Sequence, residues 1–134
     1  MPCRVLVVED SVLVTDALTI LLESAGHEVR VAATVAEALA AGRAAPVDVL
    51  LLDLSLPDGD GLEVLHGLRA CGAEPPVTVA LTGRDEPATV ARCEAAGCRA
   101  VRLKPVPTRE LMASVEAWGR EAAAARPPGS EAAL

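Results

Sequence analysis

Short aliphatic runs alternate with longer amphipathic stretches along this chain. The runs are RVLVV (4 to 8), EVRVA (28 to 32), VDVLLLD (47 to 53), VTVALT (77 to 82) and CRAVRLK (98 to 104). Each is short and rich in β-branched residues, which predicts five strands. Between them, apolar residues recur at the i, i+3, i+4, i+7 spacing of a helix face. One set is Val14, Ala17, Leu18 and Leu21; a second is Val35, Ala38 and Leu39, closed by Gly42. Leu62, Leu65 and Leu68 mark a third helix, and Leu111, Val115, Trp118 and Ala122 the last. The helix around 86 to 96 has a weaker stripe but a marked start. Asp85 can cap it, and Pro87 falls in the first turn, where a missing N–H costs nothing.

Strands alternating with helices imply an α/β fold with a parallel sheet covered on both faces and right-handed crossovers. Central parallel strands are buried on both sides and read as solid aliphatic runs. The first, third and fourth runs do. The second contains Arg30 and the fifth Arg99 and Arg102, which places them at the edges. The order 2-1-3-4-5 follows: a single doubly wound, five-stranded sheet whose switch point lies between strands one and three.

The 134 residues are enough for one domain with one core. A net charge of −7 argues against a grip on nucleic acid or anionic lipid and favours a cation or a basic partner. With no Phe or Tyr and only Trp118, platforms for stacking bases are also missing. No apolar run reaches the roughly 18 residues of a membrane span, and acids come too early for a secretory signal, so a cytoplasmic protein is expected. Cys3, Cys71, Cys93 and Cys98 lack paired C-x-x-C spacing and read as reduced structural thiols. His27 and His66 read as surface residues.

Ligands of such sheets sit outside the carboxyl ends of the strands at the switch point. Here those ends carry Glu9 and Asp10 on one side and Asp53 on the other. Three converging carboxylates repel one another unless a cation compensates them. A hard divalent ion fits, and Mg²⁺ is the natural candidate because it takes oxygen ligands and keeps several waters. The fourth run ends in Thr82 and Gly83, the fifth in Lys104. This set suits phosphoryl transfer, in which positioning and charge neutralisation do most of the work. Asp53 is the expected nucleophile and phosphoacceptor. Glu9 and Asp10 would hold the metal with it, Lys104 and Thr82 would meet phosphoryl oxygens, and Gly83 would leave room for the group to enter.

Each element alone has an ordinary structural reading. Glu9 and Asp10 can end a strand and cap the next helix, Thr82 can be a turn residue, and a Lys before Pro can be a solvated charge. Asp48, Asp58, Asp60 and Asp85 belong to loops and caps. The joint occurrence of E-D, D, T-G and K-P at four strand ends favours the chemical reading.

With VLVVEDS, DLSLPDGDG, ALTG and RLKP in this order and spacing, the chain resembles the CheY-like receiver domains of two-component response regulators, over roughly residues 3 to 122. The resemblance implies a flavodoxin-like (βα)5 fold. It also implies a histidine kinase or histidine phosphotransfer protein as donor, an unidentified downstream protein target, and slow autodephosphorylation rather than enzymatic turnover. It adds the backbone carbonyl of Ser55 as a metal ligand and a cis bond before Pro105. Thr82 would couple the site to the surface made by helix four, strand five and helix five. One departure stands out: where the family often has Tyr or Phe, this chain has Val101, which has few χ1 states and no ring to swing. Arg84 and Ser55 stand where side chains could admit or exclude water and are expected to tune the phosphoryl lifetime.

A receiver domain over 1 to 122 is expected, with 123 to 134 a helix end and flexible tail. Met1 favours a stand-alone receiver over a piece of a longer regulator or hybrid kinase. Other classes fit less well. A phosphatase needs a second carboxylate two residues after the nucleophile, where Ser55 stands. A nucleotide or flavin carrier needs a Gly-rich or hydroxyl-rich loop after strand one, where VEDSVLV offers acids. A phosphorylation-independent interaction module remains the alternative, disfavoured by the intact quartet.

Overall fold

The computed structural model describes residues 2–84 and 86–125. The elements, in chain order, are β1 (Arg4–Val8), α1 (Val12–Ser24), β2 (Glu28–Ala32), α2 (Val35–Ala44), β3 (Val49–Asp53), β4 (Ser55–Leu56), β5 (Gly59–Asp60), α3 (Leu62–Ala70), β6 (Val77–Thr82), α4 (Pro87–Ala96), β7 (Ala100–Leu103) and α5 (Thr108–Ala125). Five strands form one parallel sheet in the order β2-β1-β3-β6-β7. This is the expected doubly wound order, with β4 and β5 forming a separate two-residue antiparallel ribbon that the hydrophobic pattern did not announce.

Alternation along the central strands divides the core in two. Leu6, Val8, Leu50, Leu52 and Ala80 pack against α2, α3 and α4, with Leu65, Leu68 and Cys93 among the buried partners. Val5, Val7, Leu51, Val79 and Leu81 pack on the other face with Leu22 of α1 and Leu111, Val115 and Trp118 of α5. The edge arginines serve neighbouring elements: Arg30 donates to the carbonyls of Ala41 (2.6 Å) and Ala45 (3.1 Å) at the end of α2. Arg102 lies 5.4 Å from the Trp118 ring centroid, within cation–π range.

Two expectations change. Helix α1 turns Thr15, Leu18, Thr19 and Leu22 inward, one residue on from the expected Val14, Ala17, Leu18 and Leu21 face. The segment is apolar nearly all round, so periodicity alone leaves its phase open. Thr15 can be buried because its hydroxyl donates to Val12 O at 3.2 Å. The exposed side then carries Val12, Leu13 (83 % exposed), Val14 and Ile20. His27 is buried rather than on the surface. Its Nδ1 accepts the Cys3 N–H at 3.1 Å, and its Nε2 lies 3.2 Å from Glu116 Oε1. Asp85 and the tail from 126 onward fall outside the described residues. Among the described residues no helix is long and apolar enough to cross a membrane.

Candidate functional site

The site is built at the carboxyl edge of the sheet, where β1, β3, β6 and β7 end. Asp53 is the last residue of β3 and is 6 % exposed. Glu9 follows β1 directly, is buried, and donates its N–H to Ala32 O of β2 at 3.0 Å, while Asp10 beside it is exposed. Carboxylate oxygens of Glu9, Asp10 and Asp53 all lie within 4.8 Å of one another. Two buried acids and one exposed one therefore share a single mouth.

Lys104, one residue past β7, reaches into this cluster. Its Nζ donates to Glu9 Oε1 at 2.6 Å and lies 3.3 Å from Asp53 Oδ2. Burial works against the ammonium, but the hydrogen bond to Glu9 and the charge of Asp53 outweigh it, and the Lys104 pKa stands above its ordinary value. Backbone amides complete the neutralisation: Asp10 N–H donates to Glu9 Oε2 at 2.9 Å and Ser55 N–H to Asp53 Oδ1 at 3.1 Å. The second of these bonds sets the Ser55 backbone against the cluster. An all-oxygen donor set with one solvent-facing member fits a hard divalent cation and not a soft one.

Thr82 ends β6 and is buried, and Lys104 N–H donates to its carbonyl at 2.7 Å, so the two strand tips are joined through the backbone. The Thr82 hydroxyl donates to Arg84 O (3.0 Å) and accepts from Arg84 N–H (3.1 Å), closing a turn around Gly83. A Cβ built on Gly83 meets nothing within 4 Å, so the wall is open there. Arg84 is exposed, with Nη1 3.6 Å from Glu86 Oε1. Val101 lies half-buried in β7 and packs against the α2–α4 side of the core. The Lys104–Pro105 bond is cis.

The loop after Asp53 is tied down by residues first read only as loop and cap. Asp58 accepts from the Val35 (2.7 Å) and Ala36 (3.1 Å) amides and so caps α2 from across the fold. Those bonds hold its carboxyl below the usual range. Asp60 and Glu63 brace the start of α3: Leu62 N–H donates to Asp60 Oδ1 at 2.9 Å and Asp60 N–H to Glu63 Oε2 at 3.0 Å. Asp60 also pairs with Arg92 of α4. Gly61 touches the Asp53 backbone itself, since a Cβ there would stand 2.0 Å from Asp53 O. The D-G-L-E spacing carries a cap signal in the sequence; nothing in it announces the approach of Gly61 or the reach of Asp58.

Comparison with known proteins places this architecture. The family described as the response regulator receiver domain matches residues 5–116. The chain is 37% identical over 123 residues to the swarming motility regulation protein RssB of Serratia marcescens, covering 90% of this chain and 54% of that protein. It is 34% identical over 131 residues to the transcriptional regulatory protein TrcR of Mycobacterium tuberculosis, covering 98% of this chain and 51% of that protein. The chain thus spans about half the length of these curated relatives. Among solved structures it is similar to a CheY-like response regulator receiver domain protein from Methanospirillum hungatei JF-1. That likeness has a TM-score of 0.83 and 28% identity, over 92% of this chain and 98% of that one. A parallel sheet in this order, a carboxylate cluster at its carboxyl edge and a family match across most of the described residues lead to one conclusion: the chain belongs to the receiver domains of two-component response regulators, which are regulatory phosphoacceptor modules.

Proposed function

We propose that this chain is a cytoplasmic phosphorelay switch in which Asp53 is the acceptor. The observation that carries the reading is the meeting of Glu9, Asp10 and Asp53 within 4.8 Å, with Lys104 bonded into the cluster. An Asp53 carboxylate oxygen bonds to phosphorus as the P–N bond of a donor phosphohistidine breaks, and the imidazole leaves with the electron pair. Glu9, Asp10, Asp53 and the Ser55 carbonyl would hold Mg²⁺, which supplies neutralisation of phosphoryl oxygen charge. Lys104 balances that charge as a compact ammonium. Thr82 reaches a phosphoryl oxygen by giving up its bonds to Arg84, so occupation of the pocket loosens the 82–84 turn. Open space at Gly83 admits the group. With an aliphatic Val101, the signal travels through this turn and the backbone link from Thr82 to Lys104 rather than through an aromatic rotamer.

The apolar side of α1 supports a protein donor. Val12, Leu13 and Ile20 stay exposed on the helix that starts just beyond Glu9 and Asp10. Exposed aliphatic side chains around Asp16, beside a charged mouth, suit docking of a helical partner, here a histidine kinase or histidine phosphotransfer protein. The transcriptional role in the name of one relative belongs to a protein about twice this length. This domain, at net charge −7, would signal through a protein target rather than by gripping DNA.

Incubation with acetyl phosphate, with and without Mg²⁺, followed by intact-mass measurement, tests the reading. One phosphoryl adduct is expected with Mg²⁺ and none in Asp53→Asn. An adduct on the Asn variant, or no adduct on the native chain under any condition, overturns it.

A further inference from the structure

The end of α4 is a complete Schellman motif. Cys98 N–H donates to Cys93 O at 3.0 Å, Gly97 N–H donates to Glu94 O at 3.1 Å, and Gly97 takes the left-handed conformation at φ 98°. In this motif the side chains three residues inside the helix end and two beyond it touch, normally as a hydrophobic contact. Here both are cysteines. The C-E-A-A-G-C spacing resembles no thiol motif in sequence, yet the helix end folds Cys98 back over Cys93, and Cys98 packs against the core cluster that holds Cys93. Cys93 is fully buried beneath α4, whereas Cys98 is half-buried and lines the groove between α4 and β7 with Val90, Glu94 and Val101.

We infer that Cys93 and Cys98 form a reversible oxidation site, closing to a disulfide that staples the end of α4 to the start of β7. This goes beyond the phosphoacceptor reading and does not depend on it. With hydrogen peroxide as oxidant, the accessible Cys98 sulfur attacks a peroxide oxygen, the O–O bond breaks, and a sulfenic acid and one water result. The Cys93 sulfur then attacks the Cys98 sulfur, the S–O bond breaks and a second water leaves. Two thiols are oxidised and one peroxide is reduced to two waters.

The surroundings set the pace of this reaction. Burial pushes the Cys98 thiol up to about 12 and the Cys93 thiol upward, so the reduced pair is protonated at neutral pH and reacts slowly. The Arg69 guanidinium, whose Nη2 donates to Ala96 O at 2.6 Å, is the nearby cation that favours the Cys98 thiolate.

Trypsin releases both cysteines in one peptide, residues 93 to 99, which makes the test direct. The full chain carrying Cys71→Ser, which removes the exposed thiol, is treated with hydrogen peroxide at mildly alkaline pH, alkylated in denaturant and digested. The expected product is a 93-to-99 peptide two hydrogens lighter and free of alkyl groups. Dithiothreitol should restore double alkylation, and a Cys98→Ser variant should never yield the lighter peptide. The inference is overturned if the peptide stays doubly alkylated under oxidant that modifies Cys71 in the native chain. It is equally overturned if Cys98 proceeds to sulfinic acid without cross-linking, or if the bond joins two chains.

Discussion

Replacing Lys104 by Met removes the one ammonium inside the carboxylate cluster while keeping most of the side-chain volume. Three carboxylates then share a space 4.8 Å across, and at an effective dielectric near 20 each ionised pair repels by about 3.5 kcal/mol. The attractions lost are larger before desolvation: about 6 kcal/mol to Glu9 at 2.6 Å and about 5 kcal/mol to Asp53 at 3.3 Å. Most of that gain is already cancelled by the cost of burying the charges. Removing one partner of a buried pair typically costs about 3–5 kcal/mol, and the 30 % exposure of Lys104 lowers this to about 2–3 kcal/mol. Urea unfolding in the presence of a chelator is the assay, and a midpoint lower by about 0.7–3 M is expected for a slope of about 1–3 kcal/mol/M. Saturating Mg²⁺ should restore most of the loss, since a cation at a hundred times its dissociation constant contributes about 2.7 kcal/mol. The variant should gain more from Mg²⁺ than the native chain, in which Lys104 already occupies Glu9. Equal midpoints of variant and native protein in chelator would refute the idea that Lys104 holds the acidic cluster together.

Other outcomes follow from single features. Gly61→Ala drives a methyl into Asp53 O and should lower stability by about 1–3 kcal/mol or more, read as a lower melting temperature together with weaker acetyl phosphate labelling; an unchanged melting temperature means the loop gives way. Alkaline pH should destabilise the fold through its buried thiols. Folded Cys3 and Cys98 stand at about 11 and about 12 against an ordinary thiol value of 9.0, so the unfolded chain releases these protons first. Stability is intact below about pH 9 and falls as pH climbs toward 12, and the urea midpoint of Cys98→Ala should fall less steeply over that range. Arg84→Ala and Ser55→Ala should each change the rate at which the phosphorylated chain loses its adduct, followed by intact mass over time, and identical decay curves would remove both residues from any tuning role.

Much of this architecture was legible because the chain repeats two strong signals. Solid aliphatic runs such as VLLL and VTVAL can be satisfied only by burial on both faces, and the charged residues that end them mark one edge. Leu62, Leu65 and Leu68 of α3, and Leu111, Val115, Trp118 and Ala122 of α5, are all buried as their spacing predicted. The phase of α1 was not legible, because a segment apolar on every side offers several stripes and tertiary packing chooses among them. His27 was lost for the opposite reason: a lone polar residue carries no pattern, and its burial depends on Cys3 and Glu116, both remote in sequence. Asp58 acts on α2 more than twenty residues away, a link that no local rule contains. Family resemblance supplied what spacing could not, including the expectation of a cis bond before Pro105, which the structure has.

The anchoring of the segment that follows Asp53 has a mechanical consequence. Asp58 and Asp60 bind that segment to α2, α3 and α4, and Gly61 N–H donates to Leu54 O, so one side of the pocket is braced like an anvil. The opposite side is a short turn closed by a hydroxyl's two bonds to Arg84, with empty space at Gly83. On the proposed function, a new dianion on Asp53, between an anvil and a hinge, would do its work on the hinge. On that same function, directionality follows from unequal tethering: a load placed on Asp53 would pass toward Thr82 and β7 rather than into the tethered far wall.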